Sequence, residues 1–305
     1  MNAYPLIVVQ PLGITDAMVS APNTNVPEAD YTVWSSATTY ALDARVILTT
    51  THKIYQSLQA SNLGKDPVTQ PAWWIEVSPT NKWALFDSAV STQTKQASYI
   101  KYTVTPGQTV NAIAALNLTN ATQIVITVTS ASAGVVYSRT IDVSPVPASP
   151  SWWDWFFGIR RAQTQCVRVD LPSYPDATIK FELYGGVSLA IGVLLIGQQR
   201  AFGAGIKYGA KVGIQDYSRK EKNDFGDTVL VQRAFARRAD FDLMVSADEV
   251  DSLQGFLSDV RAVPCLWIGS SDYEATTVFG FYKTFDILIS YPTQSDCSLQ
   301  IEGLT

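Results

Sequence analysis

The chain has 305 residues, 47% hydrophobic and 11% aromatic, with 16% charged residues and a net charge of −5. That is enough apolar material for two or three cores and argues against general disorder. The acidic balance and the absence of a sustained basic block exclude a nucleic-acid partner, because neutralising phosphates takes many Lys and Arg on one face. Charged residues fall below the roughly 25% usual for soluble domains. Such a surface is expected to be covered in part by other chains.

The three cysteines, Cys166, Cys265 and Cys297, are far apart, and His52 is the sole histidine. No metal-ligand set and no cofactor are expected, and the cysteines read as buried free thiols of a protein made in a reducing cytoplasm. The opening Met1-Asn2-Ala3-Tyr4-Pro5 has no basic leader, and the longest apolar run, Val187 to Ile196, is about half a bilayer span. No cleaved signal and no membrane insertion are expected.

Residues 1–30 contain Pro5, Pro11, Pro22 and Pro27 and read as an extended arm lying on a neighbour. Residues 31–87 form a small aromatic unit, with strands expected at Arg45–Thr49 and Lys53–Leu58. Trp34, Tyr40, Tyr55, Trp73, Trp74 and Trp83 crowd into it, so rings must supply much of its burial. Residues 88–200 read as a run of strands. In Gln123–Thr129, Ile124, Ile126 and Val128 share one face, and Ile179, Phe181 and Leu183 alternate likewise. Val187 to Ile196, apolar on both faces, reads as one strand in mid-sandwich. A jelly-roll-like β-sandwich is the expectation.

The proline-rich Ser144–Pro150 reads as a loop, and Trp152-Trp153-Asp154-Trp155-Phe156-Phe157 follows. Five rings in six residues cannot all enter one core from a strand or loop, because alternate side chains point apart. They are expected to form an assembly interface. Residues 201–305 read as an α+β sandwich with a turn at Asn223–Asp227 and one helix near 246–262. Ser246 and Glu249 would form its capping box, and Val250, Leu253, Leu257 and Val260 its apolar stripe. The fold class is therefore mainly β and multidomain: a small aromatic module, a sandwich and the α+β domain.

No catalytic constellation emerges. His52, in Thr49-Thr50-Thr51-His52-Lys53, reads as an exposed turn residue, and neither a G-x-S-x-G elbow nor a phosphate loop occurs. Asp240 with Asp242, and Asp248 with Glu249 and Asp251, could serve glycoside cleavage. A shared strand face and a helix N-terminus account for them structurally.

Two resemblances add to this reading. Trp34, Tyr40, Val46, Tyr55, Gly64, Pro67 and Trp74 follow an order that resembles the small carbohydrate-binding modules of families 5 and 12. The resemblance implies glycan binding through Trp34, Tyr40, Tyr55, Trp73 and Trp74. The family's exposed tryptophans after the second tyrosine are replaced here by Gln56-Ser57-Leu58-Gln59-Ala60. The segments Asn81–Asp87, Asp272–Glu274 and Tyr282–Lys283 through Ile301–Leu304 resemble tail proteins of phages that infect Gram-negative bacteria. That resemblance implies a non-enzymatic virion component of the tail tip or baseplate. Its partners would be copies of itself, other tail proteins and host cell-surface glycan. A glycan-binding receptor protein and a tail-associated glycan hydrolase are the alternatives.

Overall fold

The structure, a computed structural model, describes residues 4–19, 23–147, 151–222, 227–270 and 272–304. It is mainly β, with curled antiparallel sheets in a sandwich-like arrangement. The chain divides into two compact units, one of residues 1–12, 110–112 and 196–305, the other of residues 13–109 and 113–195. The expected turn at 223–226 and the end of the proline-rich loop, 148–150, lie outside the described residues.

The first unit is an antiparallel sheet around a helix. Strand Leu6–Pro11 pairs on one side with residues 197–202, Leu6 opposite Phe202 and Pro11 opposite Gly197. On the other it pairs with Cys265–Ile268, Val8 opposite Trp267. The sheet continues through Thr277–Leu288, Gln294–Gly303 and Phe235–Ser246. Helix Val250–Asp259 packs Leu253, Phe256 and Leu257 against Trp267, Phe241 and Leu299. The buried indole of Trp267 donates through Nε1 to the Gly280 carbonyl, 3.0 Å away. A Cβ on Gly280 would stand 2.0 Å from the Glu302 carbonyl oxygen, so the neighbouring strand can approach only glycine there.

The expected arm over residues 1–30 is corrected by this sheet. Leu6, Val8 and Val9 are buried because the strand has a neighbour on each side. Pro5 precedes the ladder and Pro11 ends it, where a missing N–H costs little. Residue 25 is tied down as well. Asn25 donates from Nδ2 to the Tyr99 carbonyl and accepts from the Lys101 N–H, at 2.8 and 2.7 Å.

In the second unit Thr119–Ser130 pairs with Gly134–Asp142 and with Ala177–Ile191, which also takes Tyr99–Val104 on its far side. Ile124, Ile126, Val128, Ile179, Phe181 and Leu183 are all buried, as alternation demands. The single strand expected over Val187–Ile196 is two strands. Ala177–Ile191 ends at Gly192 and Val193–Phe202 begins after it. Gly192 sits so close to Asn117 and the Val90 carbonyl that a Cβ would come within 2.7 Å of the latter. Val187 is 87% exposed, so it is no mid-sandwich residue.

The aromatic module belongs to the same unit. Its three-stranded sheet Arg45–Leu48, Lys53–Ser57 and Trp74–Pro79 leads into Trp83 and Phe86. Phe86 meets Tyr102 edge to face at 5.4 Å, and the Tyr102 hydroxyl donates to the Lys82 carbonyl at 2.6 Å. Module and sheet thus share packing around residues 81–102.

The expected capping box does not form. Ser246 ends a strand, Glu249 stands at the N-cap without a side-chain bond, and the helix spans Val250–Asp259. The Val250–Val260 spacing does give the buried stripe.

Cys265 and Cys297 are buried and unpaired, and Cys166 is half-buried and free. Burial pushes the Cys265 thiol up to about 12. It pushes Cys297 up to about 11, with help from the Asp286 and Asp242 carboxylates. Cys166 is also raised by burial, against the opposing pull of Arg168. At pH 8 a disulfide reagent should therefore react slowly with the native protein, and all three thiols should titrate quickly in denaturant. Fast native labelling of Cys265 would contradict the buried placement. Val8→Asp should abolish cooperative unfolding of the first unit, since an unpaired buried carboxylate costs several kcal/mol against a domain stability of about 5–15 kcal/mol. A mobile arm would tolerate that change with no shift in melting temperature.

Candidate functional site

Two aromatic constellations stand out, and they differ in what their rings face. In the module, Tyr40, Val46, Tyr55 and Trp74 form one cluster, with Trp34 and Trp73 packed against it. Tyr40, Tyr55 and Trp74 are only 8%, 6% and 2% exposed. Tyr40 and Trp74 meet edge to face at 5.3 Å. The polar tips of these three rings, Tyr40, Tyr55 and Trp74, are engaged locally. The Ser35 N–H donates to the Tyr40 hydroxyl at 2.8 Å, Trp74 Nε1 donates to the Lys65 carbonyl at 2.8 Å, and the Tyr55 hydroxyl lies 3.4 Å from Thr51 Oγ1.

The loop that brings the Lys65 carbonyl to Trp74 is set by its own residues. Gly64 adopts a φ of 67°, and Asp66 Oδ1 accepts from the Val68 and Thr69 N–H groups at 2.8 and 3.2 Å. Of the five rings predicted to bind sugar, all are brought together, but Tyr40, Tyr55 and Trp74 turn no free face to a ligand. Trp34 and Trp73 remain at the rim, half-buried, with Lys65 Nζ 5.4 Å from the centre of the Trp73 ring.

His52 is not the exposed turn residue expected from its neighbours. It adopts a φ of 57° and stacks on Trp83 at 4.1 Å, with its side chain 18% exposed. His52 Nδ1 lies 3.0 Å from Glu28 Oε1, which also accepts from Thr80 Oγ1 at 3.0 Å, and Lys82 Nζ stands 3.8 Å from Glu28 Oε2. The group clasps the segment around residue 28 onto the module. Its parts are spread over some fifty residues of sequence, so no local pattern could have disclosed it.

The second constellation is the run Trp152–Phe157, which is a short α-helix and not a strand or loop. Ser151 caps it, its Oγ accepting from the Asp154 N–H at 3.2 Å, and Asp154 places negative charge in the first turn. Ser151 and Asp154 were the overlooked helix signal. The helix spreads its rings around its circumference, and Trp152, Trp153, Trp155, Phe156 and Phe157 are 71%, 58%, 56%, 69% and 68% exposed. They touch chiefly one another, Trp153 with Phe157 at 4.6 Å and Trp152 with Phe156 at 6.5 Å, while the Arg160 guanidinium lies 5.5 Å from the Trp155 ring.

Of the acidic groups considered for catalysis, Asp240 and Asp242 are otherwise occupied. Asp240 Oδ2 accepts from Arg238 Nη2 at 2.7 Å, and Asp242 Oδ1 from Ser298 Oγ at 2.7 Å. Among the described residues no three His, Cys, Asp or Glu side chains are grouped to hold a metal ion. Compared with known proteins, the chain matches no family model and no curated sequence.

Tyr55→Ala should unfold the module, at a cost of about 3–5 kcal/mol. Hydrogen exchange should then show lost protection over residues 39–79, with strands Cys265–Ile268 and Gln294–Gly303 still protected. Unchanged protection in the module would remove Tyr55 from its core.

Proposed function

We propose that the chain is a non-enzymatic structural subunit of a bacteriophage tail tip or baseplate, which assembles with copies of itself and with other tail proteins and contributes to host attachment. The observation that carries the assembly half of this reading is the helix Trp152–Phe157. Five large rings, each more than half exposed within six residues, form an apolar surface that water disfavours and a protein partner would cover. Aromatic side chains of this kind are the residues most enriched at the centres of protein interfaces. The low charge content is in keeping with surface covered by other chains. The phage assignment rests on the sequence resemblance of residues 81–87 and 272–304.

The glycan-binding alternative is weakened by the burial of Tyr40, Tyr55 and Trp74, and is left with the rims of Trp34 and Trp73. The hydrolase alternative is weakened by the engagement of Asp240 with Arg238 and of Asp242 with Ser298.

Replacing both Trp153 and Trp155 by Ser should leave the melting temperature of the isolated chain within a few degrees, since neither ring is in a core. It should also reduce incorporation into particles at least about tenfold in a co-expression assay. Normal incorporation of the double variant would sink the assembly role of this helix. Binding on a glycan array that is lost in Trp73→Ala would favour the receptor reading instead.

A further inference from the structure

From Lys207 to Phe235 every described residue except Ser218 is exposed. Strand Lys211–Asp216 pairs with residues 235–240. Beyond Ser218, strands Arg219–Lys222 and Thr228–Val231 pair with each other. The result is a two-stranded ribbon, which is marginal alone in water. It nevertheless carries Ile214, Leu230 and Phe235 at 65%, 69% and 53% exposure.

Charge is distributed unevenly around it. Residues 207–238 hold eight Lys and Arg against four Asp and Glu, a balance of +4; residues 239–305 hold two against eleven, a balance of −9. Residues 1–206 balance at twelve of each, so these parts make up the net −5. Lys220 stands opposite Leu230, and Lys222 lies two positions along on the same ribbon face. Helix Val250–Asp259 turns its apolar side to its own core and leaves Asp248, Asp251 and Asp259 exposed at its outer side and N-terminus. Among the described residues none of these three forms an ion pair.

We propose that the ribbon of one chain docks on the acidic outer side of the helix Val250–Asp259 in a second copy. Lys220 and Lys222 would face Asp251 and Asp259, with Leu230 covered between them. This rests on the self-association read above and adds to the helix Trp152–Phe157 a further pair of contact surfaces. A second copy fits better than DNA or an anionic membrane, because either would be repelled by the −9 region that adjoins the ribbon in sequence. Donor and acceptor patches differ, so the contact is head to tail and leads to a ring or a filament and not a two-fold dimer.

Sedimentation of the full chain over a range of concentrations, at low and high salt, tests the proposal. Wild-type chains should associate, more weakly as salt screens the charges. K220E/K222E and D251K/D259K should each weaken association at least about tenfold, with unchanged circular dichroism. Both reversals combined in one chain, or an equimolar mixture of the two variants, should restore it. If the wild type associates and neither variant weakens it, this docking is wrong while the self-association reading survives. A wild type that stays monomeric at every concentration overturns both. Binding of wild-type chain to DNA or to phosphatidylglycerol vesicles, lost in K220E/K222E while self-association persists, would assign the ribbon to that partner instead.

Discussion

Strand Leu6–Pro11 forms backbone ladders with two segments that lie about 190 and about 260 residues further along, 197–202 and 266–268. Each ladder satisfies N–H and C=O groups that could not be buried otherwise. The same strand also delivers Leu6 and Val8 to the core shared by Trp267, Phe202 and the helix Val250–Asp259. Without it, two internal strands would become open edges, and the buried Trp267 would lose a neighbour on its own face. The first unit is therefore assembled from both ends of the chain, and its helix and long hairpins pack on a sheet that the first dozen residues hold together.

What the sequence disclosed followed from local periodicity. Alternation in Gln123–Thr129 and the spacing of Leu253 and Leu257 are properties of neighbouring residues, and the structure bears them out. The strands Arg45–Leu48 and Lys53–Ser57 fall within a residue of their expected ends. Three of the departures share a cause, which is distance along the chain. Pro5 and Pro11 outweighed the Leu-Ile-Val-Val run between them because the strand's partners are distant. Gly192 reads as part of an apolar run because Asn117, which approaches it closely, lies 75 residues away. His52 looked solvated because Glu28 and Trp83, which enclose it, lie twenty-four and thirty-one residues away. At Trp152–Phe157 the missed signal was local. A capping serine with an acid three residues on outweighs the poor helix propensity of aromatic side chains.

The candidate site was legible in composition but not in burial. The five rings expected to bind sugar do pack together in the module, yet a ring that fills a small core and a ring that stacks on sugar look alike in sequence. What separates them is the partner of the polar tip. Trp74 spends its indole N–H on a carbonyl nine residues away, and Tyr40 spends its hydroxyl on Ser35, so both are committed to the fold. The rings of Trp152–Phe157 have no such commitment and lean chiefly on one another. Interior aromatics thus belong to the module's stability.

The placement of Leu6–Pro11 also bears on how the protein comes into being. On the ribosome this segment emerges before its partners, and residues 197–202 follow nearly two hundred residues later. At about 5–20 residues per second the strand waits on the order of 10–40 s for its first neighbour. Throughout that interval Leu-Ile-Val-Val is an unpaired, β-prone, uncharged stretch of the kind that nucleates aggregation. The prolines at either end, which obscured the strand, then serve as gatekeepers: they cannot extend a ladder, and they limit the pairing of one nascent chain with the next.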